Sequence, residues 1–316
     1  MFNIGFLGTP QISAYVMEEL YKNGFKIKWA LTQPDKKAGR GLKLLEPAVK
    51  TKAKELGINV FQADKFTRDL SNELLKHEVD VCVVVAYGAY IPTYFVNALK
   101  RTPLNIHVSL LPYYRGAAPV ARAIMNGDSV TGVSIMQIAK EMDAGDIVAQ
   151  KKINIDDEDD TLTLTNKLIE SGTKLLLDVI PDYIDGRIKC LPQASFGLDP
   201  TYAEKISSEE RDIDWTSPVK SIHDRVRALY PWPVAQAKIG DIDIKIIKTR
   251  YERSAGVGQP NGEIFEISKK EGVIKVAGVD GFVLVEKVQP FGKREMNIQE
   301  FLNGYKIEKG MRFKNV

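Results

Sequence analysis

Short apolar runs alternate with helix-like patterns in the N-terminal part of the chain. The runs occupy residues 4–7, 26–31, 58–61 and 81–85. Because strands that alternate with helices usually pair in parallel, this spacing predicts an α/β fold with a Rossmann-like, doubly wound, mostly parallel sheet. After the first run, Ile12, Val16 and Leu20 recur at helical spacing. They predict a helix with Thr9 as its N-cap and Pro10 as its first residue.

A different pattern of short alternating runs fills the C-terminal part. These runs occupy residues 242–246, 264–267, 273–276 and 282–288, and the dipeptides Asn261-Gly262 and Asp280-Gly281 lie between them. Several short strands separated by turn dipeptides predict a second, smaller domain that is a β-barrel.

The segment between these two patterns predicts two strands, a helix and a boundary. We expect strands at residues 130–138 and 147–155 and a long amphipathic helix at 161–183. Residues 190–206 contain proline and glycine and show little periodicity. This composition predicts a linker there. The predicted domains are therefore residues 1–189 and 207–316.

Composition restricts the class of protein. Of 316 residues, 44% are hydrophobic and 27% charged, which suits two globular domains. No apolar run approaches the roughly 18 residues that span a bilayer, and no targeting pattern precedes the first strand. We therefore expect a cytoplasmic protein that does not enter the membrane. Cys82 and Cys190 fit neither a metal-ligand nor a disulfide spacing, so both are interpreted as structural and no metal is predicted.

Charge bears on whether the protein binds nucleic acid, and glycine spacing bears on whether it binds a dinucleotide. The net charge of +3 is too small to indicate nucleic-acid binding by itself. Residues 205–316 are mildly basic, with 20 Lys and Arg against 16 Asp and Glu, which permits an RNA partner without requiring one. Residues 5–10 lack the G-x-G-x-x-G pattern that lets a pyrophosphate approach the backbone. This argues against a dinucleotide-dependent dehydrogenase.

Asn105 and His107 are the most informative pair in the chain. Residues two apart in a strand point to the same face, so these two side chains can converge on one reacting atom. An amide N–H can stabilise a developing oxyanion while an imidazole transfers protons near neutral pH. The pair therefore favours acyl-type transfer.

The segments around this pair resemble the active-site signature of the 10-formyltetrahydrofolate-dependent formyltransferases. In that signature Asn-x-His precedes Ser-Leu-Leu-Pro and a distant aspartate. Here Ser109-Leu110-Leu111-Pro112 follows closely, and the matching aspartate is Asp143. Further matching segments lie at residues 6–10, 33–41, 87–88, 115–119 and 231–233.

The resemblance implies a one-carbon transferase. The formyl group of 10-formyltetrahydrofolate, the co-substrate, would move to the α-amine of methionyl-initiator tRNA for translation initiation. Asn105 and a protonated His107 would stabilise the oxyanion, and Asp143 would orient the imidazole and favour its charged form. The expected partners are the folate and the tRNA, and the expected state is a monomer.

The resemblance also implies where the two substrates bind. Ser109, Leu110, Leu111 and Pro112 would lie against the folate, with Tyr87 and Gly88 as a wall of the pterin site. The tRNA would contact a basic loop and an OB-like barrel, because phosphate contacts supply much of the affinity for nucleic acid. The basic residues of that loop are Lys36, Lys37, Arg40 and Lys43.

Two alternatives remain open from the sequence. Formyltransferases that act on an amino sugar nucleotide or on glycinamide ribonucleotide, and formyltetrahydrofolate hydrolases, would share Asn105, His107 and Asp143. The basic loop and the mildly basic barrel favour a large polyanionic acceptor instead. The second alternative is a non-catalytic RNA-binding module on an α/β scaffold, and the intact Asn, His and Asp set argues against it.

Overall fold

The computed structural model describes residues 2–38, 43–255 and 258–315. Contacts divide the chain into two compact units. The first unit comprises Met1–Gly116, Thr131–Ile153 and Asn166–Tyr202, and the second comprises Ala117–Val130, Asn154–Thr165 and Ala203–Val316. Two short stretches from within the predicted first domain therefore belong to the second unit. The linker predicted at residues 190–206 stays a prediction.

The first unit is built on a seven-stranded sheet. Its strands and the two short β-pairs beside them are β1 (Asn3–Gly8), β2 (Lys26–Thr32), β3 (Lys36–Ala38), β4 (Lys43–Leu45), β5 (Val60–Gln62), β6 (Val81–Val85), β7 (Leu104–His107), β8 (Arg115–Gly116), β9 (Val130–Gln137), β10 (Ile147–Asn154) and β11 (Tyr202–Ala203). The sheet order is β10-β9-β7-β6-β1-β2-β5. Five neighbouring strands of this sheet, β7, β6, β1, β2 and β5, pair in parallel. β9 pairs with β7 in the antiparallel direction.

Helices connect these strands. They are α1 (Gln11–Lys22), α2 (Ala48–Glu55), α3 (Arg68–Leu75), α4 (Thr93–Val96), α5 (Pro119–Met125) and α6 (Thr161–Ile184), of which α5 lies in the second unit. The central strands β1 and β6 are buried along nearly their whole length, since they are largely apolar. Ile4 and Phe6 pack in one buried cluster together with Ile180 of α6, whereas Leu7 packs in another with Phe95 of α4. The prediction of a doubly wound, mostly parallel sheet is confirmed.

The start of α1 differs from the prediction. The helix begins at Gln11, and Pro10 occupies the N-cap position without a side-chain cap. The hydroxyl of Thr9 is used elsewhere, since its Oγ1 donates to the carbonyl of Tyr87 at 2.8 Å. Thr9 therefore ties β1 to the end of β6, and its predicted role as N-cap is wrong.

The second unit contains a curled antiparallel sheet. Its further elements are α7 (Val219–Ala228), β12 (Gln236–Ile239), β13 (Ile242–Arg253), β14 (Ile264–Ser268), β15 (Val273–Gly278), β16 (Gly281–Pro290), β17 (Met296–Asn297), α8 (Ile298–Gly304) and β18 (Phe313–Lys314). The strand order is β14-β15-β16-β13-β12-β18, and β17 pairs with β16. Backbone hydrogen bonds join Ile264 of β14 to Met311 and Gly310. These bonds bring the two ends of the sheet together, and the prediction of a small OB-like barrel is confirmed.

The barrel has its own hydrophobic core. Ile244 and Ile246 of β13, Ile222 and Val226 of α7 and Phe301 of α8 are all buried in one cluster. The alternation of apolar and charged residues in the sequence thus predicts which face of β13 points inward. Within the described ranges, no helix is long and apolar enough to cross a membrane.

Candidate active site

Strand β7 fixes the direction of the two candidate catalytic side chains. Leu104 and Ile106 are buried in the cluster that also contains α6. Asn105 and His107 alternate with them, so they point to the opposite face of the sheet. On that face His107 lies opposite Ser134 of β9. The side-chain amide of Asn105 is partly accessible and makes no hydrogen bond within the described part of the chain.

His107 is buried but has one polar and one charged neighbour. Its Nε2 lies 2.9 Å from the carbonyl oxygen of Tyr114, and because a carbonyl only accepts, Nε2 carries the hydrogen. Its Nδ1 lies 3.7 Å from Oδ2 of Asp143. This distance is too long for a hydrogen bond but short enough for strong attraction between a carboxylate and a protonated imidazole. The imidazole is therefore held by the backbone at Nε2 and faces the Asp143 carboxylate at Nδ1.

Asp143 lies on the turn between β9 and β10. Its Oδ2 accepts a hydrogen bond from the backbone N–H of Gly116 at 2.8 Å. Asp143 has a φ of 53°, in the left-handed region that non-glycine residues seldom adopt. Two residues later, a Cβ on Gly145 would lie 1.8 Å from the carbonyl oxygen of Gln137, so only glycine fits there. The turn is thus tightly packed at the residue that carries the carboxylate.

A buried glutamine that the sequence did not single out holds this turn in place. The Nε2 of Gln193 donates to the carbonyl oxygens of Asp143 and Gly145, each at 2.8 Å. Its Oε1 accepts from Nε and Nη2 of Arg115, at 3.1 and 2.7 Å. Gln193 lies in the segment interpreted as a linker. Periodicity could not reveal it, because its short 3-10 turn contributes no repeating apolar face.

The predicted folate segment forms a tightly hydrogen-bonded loop after β7. The hydroxyl of Ser109 donates to the carbonyl of Tyr113 at 2.6 Å, and the carbonyl of Leu111 accepts from Nε2 of Gln150 at 2.8 Å. Ser109, Leu111 and Pro112 are buried, whereas Leu110 is half-buried. The loop therefore has a fixed shape, and the side chains of its buried residues are already packed against protein.

Tyr87 and Gly88 follow β6 at the carboxyl end of the strand. Tyr87 is buried in the cluster with Trp29 and Leu31, and its hydroxyl lies 3.5 Å from the carbonyl of Ala63. Burial, and then the nearby charge of Asp64, raise the pKa of Tyr87 to about 12. Gly88 has a φ of 83°, and among the described residues no atom beyond its chain neighbours lies within 4 Å of a Cβ built there. A ligand at this edge would meet the backbone here rather than the tyrosine ring.

The predicted tRNA loop begins and ends in a short hairpin. β3 and β4 pair in the antiparallel direction, and Lys36 and Lys37 are exposed. The structure gives the backbone of Lys43 in β4, and Arg40 lies outside the described residues. Asp35 anchors the base of the hairpin, since Nζ of Lys50 lies 2.7 Å from one oxygen and Nε2 of Gln62 lies 2.7 Å from the other. The hydrogen bonds from Lys50 and then Gln62 lower the pKa of Asp35.

The site therefore brings together three of the predicted side chains. Asn105 and His107 share one face of β7, and Asp143 approaches the imidazole of His107. In the described residues, no group of three or more His, Cys, Asp or Glu side chains could hold a metal ion. An amide donor, an imidazole and a carboxylate are sufficient to stabilise an oxyanion and to move a proton in an acyl-type transfer.

Comparison with known proteins gives two family matches and many relatives. Residues 2–180 match the formyl transferase family, and residues 205–306 match the formyl transferase C-terminal domain. A methionyl-tRNA formyltransferase of Listeria monocytogenes serotype 4a is 39% identical over 309 residues, covering 96% of both chains. One from Streptococcus sanguinis is 40% identical over 306 residues, again covering 96% of both chains.

A solved structure resembles the fold of this chain. It is an N-formyltransferase from Helicobacter canadensis in complex with folinic acid and dTDP-3-aminofucose. The match has a TM-score of 0.68 and covers 92% of this chain and 100% of that one, at 21% identity. At this identity the likeness concerns the fold alone.

Proposed function

The chain belongs to the formyl transferase family, and from that premise we propose that it transfers the formyl group of 10-formyltetrahydrofolate to the α-amine of methionyl-initiator tRNA. The product would be N-formylmethionyl-tRNA for translation initiation. The observation that carries the proposal is the approach of Asp143 to His107, at 3.7 Å, beside the amide on the same face of β7. The similarity to methionyl-tRNA formyltransferases over nearly the whole chain favours this acceptor.

The chemistry assigns one task to each side chain. The amine of the methionyl group attacks the formyl carbon, and the carbonyl oxygen becomes negatively charged. The amide N–H of Asn105 donates to this oxyanion, at about 3 to 4 kcal/mol for such a donor in comparable enzymes. The positive charge of the protonated imidazole of His107 stabilises the oxyanion further by electrostatic attraction. The bond from the formyl carbon to N10 then breaks as N10 takes up a proton, while the attacking amine loses one. Asp143 keeps the imidazole oriented and stabilises its positive charge.

The proposed binding sites follow the predicted segments. The folate would lie against residues 109–112, with backbone groups of Tyr87 and Gly88 at the neighbouring strand end. The acceptor tRNA would contact Lys36, Lys37, Arg40 and Lys43. We also propose that residues 1–189 carry the three catalytic side chains, that 207–316 hold the tRNA with 190–206 as a linker, and that the protein works as a cytoplasmic monomer.

The test of this function is a comparison of acceptors. Purified protein is given 10-formyltetrahydrofolate labelled in the formyl group, together with methionyl-initiator tRNA, an amino sugar nucleotide or water alone. The expected result is rapid label transfer to the methionyl group and only slow loss to water. Preferred transfer to the amino sugar would move the assignment to a small acceptor, and the absence of any transfer would refute catalysis.

A further inference from the structure

The turn that carries Asp143 needs support from outside itself. A non-glycine residue in the left-handed region is strained and persists only where its surroundings impose that conformation. Asp143 adopts this conformation at a φ of 53°. The carbonyl oxygens of Asp143 and Gly145 both accept from the side-chain amide of Gln193. This amide therefore holds the backbone on either side of Ala144.

Arg115 fixes the orientation of that amide. A guanidinium can only donate and a carbonyl can only accept, so Oε1 of Gln193 must face Arg115 and Nε2 must face the turn. The four hydrogen bonds are 2.7 to 3.1 Å long, and Gln193 is only 4% exposed. A rotated amide would place two donors against the guanidinium. The side chain thus has one satisfied orientation.

The contacts form a closed ring around the carboxylate. Arg115 holds Gln193, Gln193 holds the backbone of Asp143, and the carboxylate of Asp143 accepts from Gly116, the residue after Arg115. The carbonyl of Tyr114, one residue before Arg115, accepts from His107. Residues 114–116 therefore support both the imidazole and, through Gln193, the carboxylate that faces it.

We infer that Gln193 is a positioning residue for the reaction, acting through Asp143. The inference rests on the proposed function. Gln193 keeps the Asp143 carboxylate at its distance from Nδ1 of His107. Its loss should lower the rate of the chemical step and leave substrate binding nearly unchanged.

Gln193→Met tests this directly, because methionine has a similar length but neither a donor nor a strong acceptor. The single-turnover rate constant for formyl transfer should fall about tenfold to a hundredfold, while the Kd for a folate analogue and the KM for methionyl-tRNA should change less than about twofold. Gln193→Glu keeps an acceptor for Arg115 but places a carboxylate against two carbonyl oxygens. It should lose at least as much rate, and a Glu variant with normal rate would overturn the role assigned to the Asp143 contact.

A double-mutant comparison separates positioning from general loss of stability. In an Asp143→Ala background, Gln193→Met should change the rate less than about twofold, because the carboxylate that it positions is absent. If Gln193→Met lowers the rate by the same factor in the Asp143→Ala background as in the wild type, the inference is overturned. Gln236→Met is the matched control, since Gln236 is also buried, at 8% exposure, and donates to Asp212 at 2.7 Å. It should lower thermal stability by a similar amount and keep the rate within about twofold.

The imidazole signals give a readout that does not depend on turnover. The chain has three histidines, so ¹⁵N-labelled imidazole spectra can be assigned by substitution. The His107 signals should shift in Gln193→Met and stay in place in Gln236→Met. If the His107 signals do not move in Gln193→Met and the rate is unchanged, the role of Gln193 is refuted, whereas the proposed function is not affected. If the wild-type protein transferred no formyl group to methionyl-tRNA, the proposed function would fail, whereas these spectra would still test whether Gln193 positions Asp143.

Discussion

The two units each contain a buried histidine, and the two side chains differ in what faces their ring nitrogens. His107 in the first unit is 6% exposed and His223 in the second is 5% exposed. His107 has a carbonyl oxygen at Nε2 and a carboxylate 3.7 Å from Nδ1. His223 has the hydroxyl of Thr249 3.0 Å from Nδ1 and the carbonyl of Asp157 3.1 Å from Nε2. Burial therefore does not distinguish the histidine proposed for catalysis from the other one.

The chemistry of the partners makes the distinction. Both ring nitrogens of His223 are within hydrogen-bond distance of neutral groups, and burial lowers its pKa more than the bond to Asp157 raises it. His223 thus stays neutral and joins α7, β13 and the 154–165 segment of the second unit. At His107, by contrast, Nδ1 faces the carboxylate of Asp143 without a hydrogen bond between them.

Removing the carboxylate should have the largest effect on turnover. Asp143→Ala should lower formyl transfer by about two or more orders of magnitude, because it removes the charge that orients and stabilises the protonated imidazole. Single-turnover rates and circular dichroism of the folded protein check this. Glu141→Gln is the control, since Glu141 is an exposed carboxylate on the same turn, and it should keep the wild-type rate. A near-normal rate in Asp143→Ala would show that the carboxylate beside His107 does not contribute to catalysis, and the proposed difference from His223 would be lost.

Arg40→Ala should weaken tRNA binding without affecting the chemistry at His107. Arg40→Ala should raise the KM for methionyl-tRNA by about tenfold and flatten the dependence of log affinity on log salt by about one unit, with folate binding nearly unchanged. Titrations of tRNA at several salt concentrations measure both quantities. An unchanged slope together with unchanged tRNA kinetics would exclude the loop from the tRNA site.

His223 should matter for stability and not for rate. His223→Ala removes one buried and one partly buried hydrogen bond, so we expect a loss of about 2 kcal/mol in the free energy of unfolding. Formyl transfer at 25 °C should stay within about threefold of wild type. Chemical denaturation and single-turnover rates are compared on the same preparation, and a hundredfold loss of rate in a folded His223→Ala protein would contradict the distinction.

The pH dependence of stability should show the same contrast at a smaller scale. The pKa of His223 is lowered in the folded state, so the unfolded chain binds more protons below the ordinary histidine value of about 6.5. Stability should therefore fall as the pH decreases from 7 through about 6.5, and rise again as the pH is restored. His223→Gln should reduce this slope in denaturation curves measured between about pH 7 and 5. If the slope of stability against pH is as steep in His223→Gln as in the wild type, groups other than His223 cause the loss of stability in acid.

The sequence predicted the regular parts of the fold and the three converging side chains. Residues 81–85 form β6 as predicted, because five consecutive apolar residues suit a strand that is buried on both faces. The strand spacing of Asn105 and His107 likewise fixed their common face. In contrast, the hydroxyl of Thr9 bonds to Tyr87 of a distant segment instead of capping α1. Such a tertiary contact leaves no local pattern.

The position of Gln193 shows the same limit at the site. Its four hydrogen-bond partners lie on Arg115, Asp143 and Gly145, all more than forty residues away in the chain. Local propensity describes the turn in which Gln193 lies but not these partners. Resemblance to a family could place Asp143 beside His107, whereas the support beneath Asp143 required the folded structure.

The most direct test of the distinction between the two histidines is one paired measurement. The single-turnover rate constant for transfer from 10-formyltetrahydrofolate to methionyl-initiator tRNA is measured at saturating substrate for His107→Gln and His223→Gln. We predict a loss of about a hundredfold or more for His107→Gln, with a change of less than about threefold for His223→Gln. Near-normal transfer by a folded His107→Gln protein would contradict the catalytic role of His107.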